Sequence, residues 1–191
     1  MKVTKLRRED EELFESERQA VIARRKRSRE LNALIFKDFS TFVQDPRSKE
    51  TTSFLRYGLQ VDAGWFQVVI DLMHELRKIE ERHQVFITFT QVKQKFGELR
   101  VYFTYQHKEP TTVSKNRDEP DPIMADILTE IDIATTRARA ICELCGARPA
   151  QLRQRPLTQT LCDSCSDHVE KVPLVIRARV LLSITDDDLT D

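Results

Sequence analysis

Trp65, Val69, Leu72, Leu76 and Ile79 recur in steps of three and four through DAGWFQVVIDLMHELRKIEERH, a period that puts them on one face of a helix. The start is expected near Asp62 or Gly64. Trp65 is expected to pack the first turn against a sheet, or to stand at the surface as an anchor for a partner. The next segment, QVFITFTQVKQKFGELRVYFTYQH, changes period. Val85, Ile87 and Phe89 alternate with polar residues, and so do Leu99, Val101, Phe103 and Tyr105. Gly97, free to take positive φ, supplies the turn within KQKFG. The pattern is that of a long antiparallel hairpin. It needs the helix as cover, because two strands rarely stand alone in water. RYGLQVDAG could add a short third strand.

Elsewhere the spacing is mostly helical. Residues 9–30 mix charges around Leu13, Phe14, Ala20, Val21 and Ile22, without Gly or Pro. Leu31, Leu34, Ile35, Phe39 and Phe42 can share one helical face, and Pro46 closes that element. Residues 107–122 are polar and Pro-containing and read as a loop or linker, or as a lengthened hairpin tip. Ile123, Ile127, Ile131 and Ala134 resume a helical rhythm. After Pro173 comes a short apolar helix or strand, and the acidic ending is expected to fray.

The expected class is α+β: a helix packed on an antiparallel hairpin or small sheet, a treble-clef-like zinc-binding module, and a helical N-terminal extension. The pieces divide as a charged helical region (1–46), a helix-plus-hairpin core (47–106), a polar linker or loop (107–122), a helix with the four-cysteine module (123–182) and an acidic tail (183–191).

Charge changes the picture little overall. Lys plus Arg and Asp plus Glu number 31 each, so the chain does not coat nucleic acid by bulk charge. No apolar run is long enough to span a bilayer and no secretory signal opens the chain. The reading is a cytoplasmic protein without a membrane role.

All four cysteines lie in ICELCGARPAQLRQRPLTQTLCDSCSDHVEK. Cys142 and Cys145 form one Cys-x-x-Cys pair, and Cys162 and Cys165 the other. Each pair lets one short turn present two sulfurs, and two turns complete a tetrahedron. That ligand set points to one structural Zn2+, with iron as the competing metal and a disulfide or redox dithiol as the remaining use. Gly146 lets the chain turn back after Cys145. The stretch between the pairs can form a small hairpin, and DSCSDHVEK a helix whose first turn carries Cys165. Knuckle, hairpin and helix in that order resemble the treble-clef zinc fold.

No catalytic set is legible. Four cysteines leave no ligand position for water. His168 could stand in for a cysteine, but a solvent-facing helical His is the plainer reading. Residues 146–161 contain no His, Asp, Glu or Asn, so the nuclease use of the treble clef lacks its key residue. His74-Glu75 is followed by Lys78 where a zinc protease needs its second His. The chain has only four glycines and no glycine-rich phosphate loop.

GWFQVVIDLMHEL, QVKQKFGELRVYF and the paired cysteines, in that order, resemble a family of small uncharacterised proteins of bacteria and their phages. The likeness covers about Asp62 to Cys165 and matches the family pattern at Trp65, Lys93, Lys95, Phe96, Gly97, Leu99 and Arg100. It implies a shared organisation and brings no activity.

Two functions are expected. The first is a zinc-stabilised, non-enzymatic module that binds another protein or regulates it, with Trp65 and Phe96 as interface or core aromatics. The alternative is nucleic-acid binding through Arg24, Arg25, Lys26 and Arg27, the hairpin residues Lys93, Lys95 and Arg100, and Arg148, Arg153 and Arg155 around the finger. The same hairpin cations could simply solubilise an exposed turn that Phe96 pins to the helix.

Overall fold

The computed structural model describes residues 8–44, 51–109, 121–154 and 157–190. The fold is α+β, with helices packed against two small sheets. Helix α1 (Arg8–Asp38) runs unbroken for 31 residues and is followed by the short helices α2 (Ser40–Val43) and α3 (Ser53–Tyr57). Strand β1 (Leu59–Gln60) leads through a 3-10 turn (Ala63–Trp65) into helix α4 (Phe66–His83), then into β2 (Val85–Lys95) and β3 (Glu98–His107). Helix α5 (Pro122–Ala138) precedes β4 (Gln151–Arg153), β5 (Gln159–Leu161), α6 (Asp163–Lys171), α7 (Leu174–Ser183) and a closing 3-10 turn (Asp187–Leu189). The expected Pro46 stop, most of the linker and Asp191 lie outside the described residues.

The helix-plus-hairpin pattern holds. Trp65, Val69, Leu72, Leu76 and Ile79 are buried, as are Val85, Ile87, Phe89 and Leu99 from the strands. Helix α4 ends where Gln84 turns left-handed (φ 50) and its amide bonds to Glu80 O. The Glu80 carboxylate then accepts the Ile87 amide at 2.7 Å, stitching the helix end to β2. The third strand is present but runs parallel to β2, with Leu59 opposite Val92. Helix α4 is thus the crossover of a β–α–β unit.

The β2–β3 ladder pairs Val85 with His107 and Lys95 with Glu98, with a bulge between Phe89 and Gln91. Its turn is tight: Phe96 and Gly97 both take positive φ, 56 and 73. This is the hairpin geometry that matches strand twist.

Helix α1 contributes to two cores. Leu31 and Ile35 enter the main core with Phe39, Phe42 and Phe54, and the Phe42 and Phe54 rings sit 5.5 and 5.6 Å from that of Phe89. Leu34 is 49% exposed instead, because α1 meets the core along Leu31 and Ile35 and turns its flank outward. The N-terminal half forms a second core, where Val21, with Leu13 and Phe14, packs on Val172, Ile176 and Val180. Within the described residues the acidic end makes contacts. Asp186 pairs with Arg29 at 2.7 Å and Asp188 with Arg18, tying the last turn to α1.

Helix α5 buries Ile123, Ile127, Ala134 and Ala138 in the main core, and Asp121 caps it by accepting the Ile123 and Met124 amides. Among the described residues no helix is long and apolar enough to cross a membrane.

Candidate metal centre

Two local turns bring the thiols together. In the first, the Gly146 amide donates to Cys142 O at 2.8 Å and the Cys142 amide donates to Ala147 O at 2.9 Å. Gly146 takes φ 78 to make that reversal. In the second, Cys162 is the N-cap of α6 and Cys165 lies in its first turn, with the Ser166 amide donating to Cys162 O at 2.9 Å. The β4–β5 hairpin between them pairs Gln151 with Leu161 and Arg153 with Gln159.

The four Sγ atoms lie within 4.8 Å of one another, and Cys145 and Cys162 are 3.7 Å apart. No disulfide links them. A tetrahedral zinc with bonds of about 2.3 Å has sulfur–sulfur edges of about 3.8 Å. The cluster is therefore geometrically compatible with a metal ion.

The thiols respond to their surroundings in different directions. Hydrogen bonding from the Cys165 backbone, ahead of any other cause, holds the Cys162 thiol below its ordinary range. Burial pushes Cys142 up. Burial first, then the neighbouring sulfurs, push Cys165 up much further. Four thiols this close cannot all lose protons without a cation among them, and a divalent ion supplies that charge.

The module is fastened to the rest of the fold at Gly64, Trp65, Gln94 and Gly97. The Gly64 amide donates to Glu143 O at 2.9 Å, and a Cβ on Gly64 would stand 2.1 Å from Cys142 O. The Trp65 indole donates to Ile141 O at 2.8 Å while the ring is fully buried. Trp65 therefore holds the knuckle, beyond the sheet-packing role expected from its place on the helix. On the other side, Gly97 O accepts Thr160 Oγ1 at 2.7 Å, and Gln94 Nε2 donates to Thr158 O at 2.7 Å. A Cβ on Gly97 would stand 2.2 Å from Leu152 Cδ1. The hairpin tip is thus docked on the cysteine module. Phe96 does not pin the tip to the helix: it is 68% exposed, because the tip is held by Gly97 and Gln94 instead.

Two acidic groups at this joint have no sequence motif to announce them. Glu143, inside the first Cys-x-x-Cys, is buried and accepts from Gln159 Nε2 and the Thr160 amide. Burial, ahead of repulsion from Asp62, pushes its carboxyl up to about 7. Asp62 is itself raised by burial, partly offset by Arg24. Polar side chains folded inward are invisible to a hydrophobic pattern.

The basic residues divide. Arg24 pairs with buried Glu17 at 3.3 Å, Lys26 donates to Thr190 O, and Arg27 pairs with Glu30. Arg24 and Arg25 also line a cleft of about 540 Å³ shared with Arg29, Arg177, Asp62 and Leu157. At the hairpin tip, Lys93 lies over the Tyr102 ring, Lys95 over the Phe96 ring, and Arg100 beside Glu98. Arg148 is exposed, Arg153 pairs with Asp163, and Arg155 lies outside the described residues. His168 does not simply face solvent: its Nε2 meets Glu17 Oε2 at 2.8 Å and links α6 to α1.

No protein-family model, curated protein or solved structure matches this chain, so the likeness to small bacterial and phage proteins rests on the three quoted motifs alone.

Proposed function

We propose that Cys142, Cys145, Cys162 and Cys165 hold one structural Zn2+ in a treble-clef-like module, and that the protein is a non-enzymatic module that recognises another protein. Four thiolates around zinc leave no position for water, so the metal would act by fixing shape. What it fixes is the joint between the start of α4, the hairpin tip and the β4–β5 hairpin.

Phe96 is the observation that carries the recognition reading. A bulky residue at positive φ is strained, and a large aromatic in solvent forgoes burial. Core packing explains neither feature at a site 68% exposed. Both suit an anchor presented on a rigid turn, since aromatic side chains dominate interface centres. Leu152, 51% exposed, lies against Gly97 and extends the patch, with Lys95 at its edge.

A second reading has its own support. Lys93 over Tyr102, with Arg100 and Phe96 nearby, is the mixture of cation and aromatic that suits single-stranded nucleic acid.

One comparison separates the two. Immobilised wild-type protein and the Phe96→Asp variant are tested for retained proteins, and both are titrated into labelled single-stranded DNA and RNA at rising salt. Protein retention lost in the variant supports protein recognition. Salt-sensitive oligonucleotide binding, weakened by Lys93→Ala and by Arg153→Ala with Arg155→Ala, supports the second reading. Retention equal in both proteins contradicts a role for Phe96.

A further inference from the structure

The cleft of about 540 Å³ beside α1 is lined by polar groups that the fold leaves without partners. Its walls come from α1, from the cysteine module, and from α7 with the closing turn. Four arginines line it, and two of them are matched: Arg24 pairs with Glu17 at 3.3 Å and Arg29 with Asp186 at 2.7 Å. Arg25 and Arg177 are half-buried, yet among the described residues they make no ion pair and no hydrogen bond. Each guanidinium offers five N–H donors and stays charged at neutral pH. Asp62 lines the same cleft. It stands at the N-cap of the 3-10 turn before α4, where an aspartate ordinarily accepts a backbone amide. Its side chain makes no such bond. The Ser28 hydroxyl, also on the cleft, has no partner among the described residues either.

These groups specify the chemistry of a ligand. With two arginines neutralised, the cleft keeps two positive charges, on Arg25 and Arg177, against the one carboxylate of Asp62. Two free guanidiniums and a hydroxyl call for an oxyanion, and for a doubly charged phosphate over a singly charged carboxylate. An ionised Asp62 has only acceptors and calls for hydroxyl or amino donors. Leu144, Leu157 and Leu181 add apolar wall, and the last two are 66% and 52% exposed. That wall calls for a body as well as an anion. The volume lies inside the range of roughly 300–1,000 Å³ usual for small-molecule sites, and it is more than a bare phosphate ion fills.

We propose that this cleft binds a nucleoside phosphate. Arg25, Arg177 and Ser28 hold the phosphate oxygens, Asp62 takes the ribose hydroxyls or a base amine, and the base lies against Leu144, Leu157 and Leu181. A ligand seated there touches α1, the cysteine module and α7 together, so it stabilises their packing. The inference does not depend on the protein-recognition reading, which concerns the hairpin tip.

Isothermal titration calorimetry of the full chain, reduced and supplied with stoichiometric zinc, tests it. The probes are the mono- and diphosphates of the four ribonucleosides, the free nucleosides and inorganic phosphate, each taken to about 1 mM. At least one nucleotide should bind, about tenfold or more tighter than both its nucleoside and inorganic phosphate, and should raise the unfolding temperature. Arg25→Gln, Arg177→Gln and Asp62→Asn should each weaken that binding by about tenfold or more. Their unfolding temperatures without ligand should match wild type, because these side chains make no hydrogen bond to the protein. Arg25→Lys, which keeps the charge and loses the fork, should fall between Arg25→Gln and wild type. Arg148→Gln, exposed on the module and not lining the cleft, should bind as wild type does. No nucleotide binding at about 1 mM would overturn the proposal. So would inorganic phosphate binding as tightly as any nucleotide, or nucleotide affinity unchanged in both Arg25→Gln and Arg177→Gln.

Discussion

The indole Nε1 of Trp65 donates to the carbonyl of Ile141 across 2.8 Å, one residue before the first cysteine. The start of α4 and the start of the first cysteine knuckle are therefore held as one unit. Trp65→Phe keeps most of the buried ring and removes the donor. The Ile141 carbonyl then loses a buried partner, which costs about 1–3 kcal/mol. Urea unfolding should show that loss, and a chelator should strip metal faster from the variant than from wild type.

Gly64 and Gly146 face each other across the same joint, yet should respond differently to a methyl group. At Gly64 the new Cβ would stand 2.1 Å from Cys142 O and 2.5 Å from Gly146 N, both backbone atoms that cannot swing away. At Gly146 the nearest atom is 3.5 Å away, and the cost is the left-handed backbone alone. Gly146→Ala should lose about 1–2 kcal/mol. Gly64→Ala should lose at least about 3 kcal/mol or fail to fold. Thermal unfolding of the two variants side by side checks the order.

Phe96 occupies a turn position that Asn would fill with less strain. Phe96→Asn should raise stability by about 0.5–1 kcal/mol while reducing partner binding. A variant that is both less stable and equally competent in binding would assign Phe96 to structure.

Glu80 sets a pH dependence. Burial, opposed by the hydrogen bond from the Ile87 amide, raises its pKa above the ordinary 4.5. The folded state therefore holds this proton more tightly than the unfolded chain does. Its contribution to stability is full below about 4.5 and falls as pH rises through the raised folded value. Glu80→Gln keeps an acceptor for Ile87 and cannot ionise. Urea midpoints across that pH range should decline less in the variant than in wild type.

Much of this architecture was legible because it depends on periodicity. The stripe from Trp65 to Ile79 and the alternation from Val85 to Tyr105 state which face is buried. The cysteine pairs and the segments around them likewise express the knuckle, hairpin and helix order. What stayed hidden depends on a partner distant in sequence. Glu17 is a buried acid within a charged helix because Arg24 and His168 reach it, and no local pattern says so. Gly64 reads as an ordinary helix-start residue until the Cys142 carbonyl is placed against it. The parallel direction of β1 likewise follows from a crossover, which two residues of strand cannot express.

Native mass spectrometry of the reduced chain with zinc, together with proton-release titration, tests the central claim most directly. The expected result is one zinc per chain with loss of the cysteine protons, abolished in Cys142→Ser and in Cys162→Ser along with cooperative unfolding of the module. A chain that takes up no metal, or one that binds it equally well without Cys142 or Cys162, would contradict a structural centre built from these four thiols.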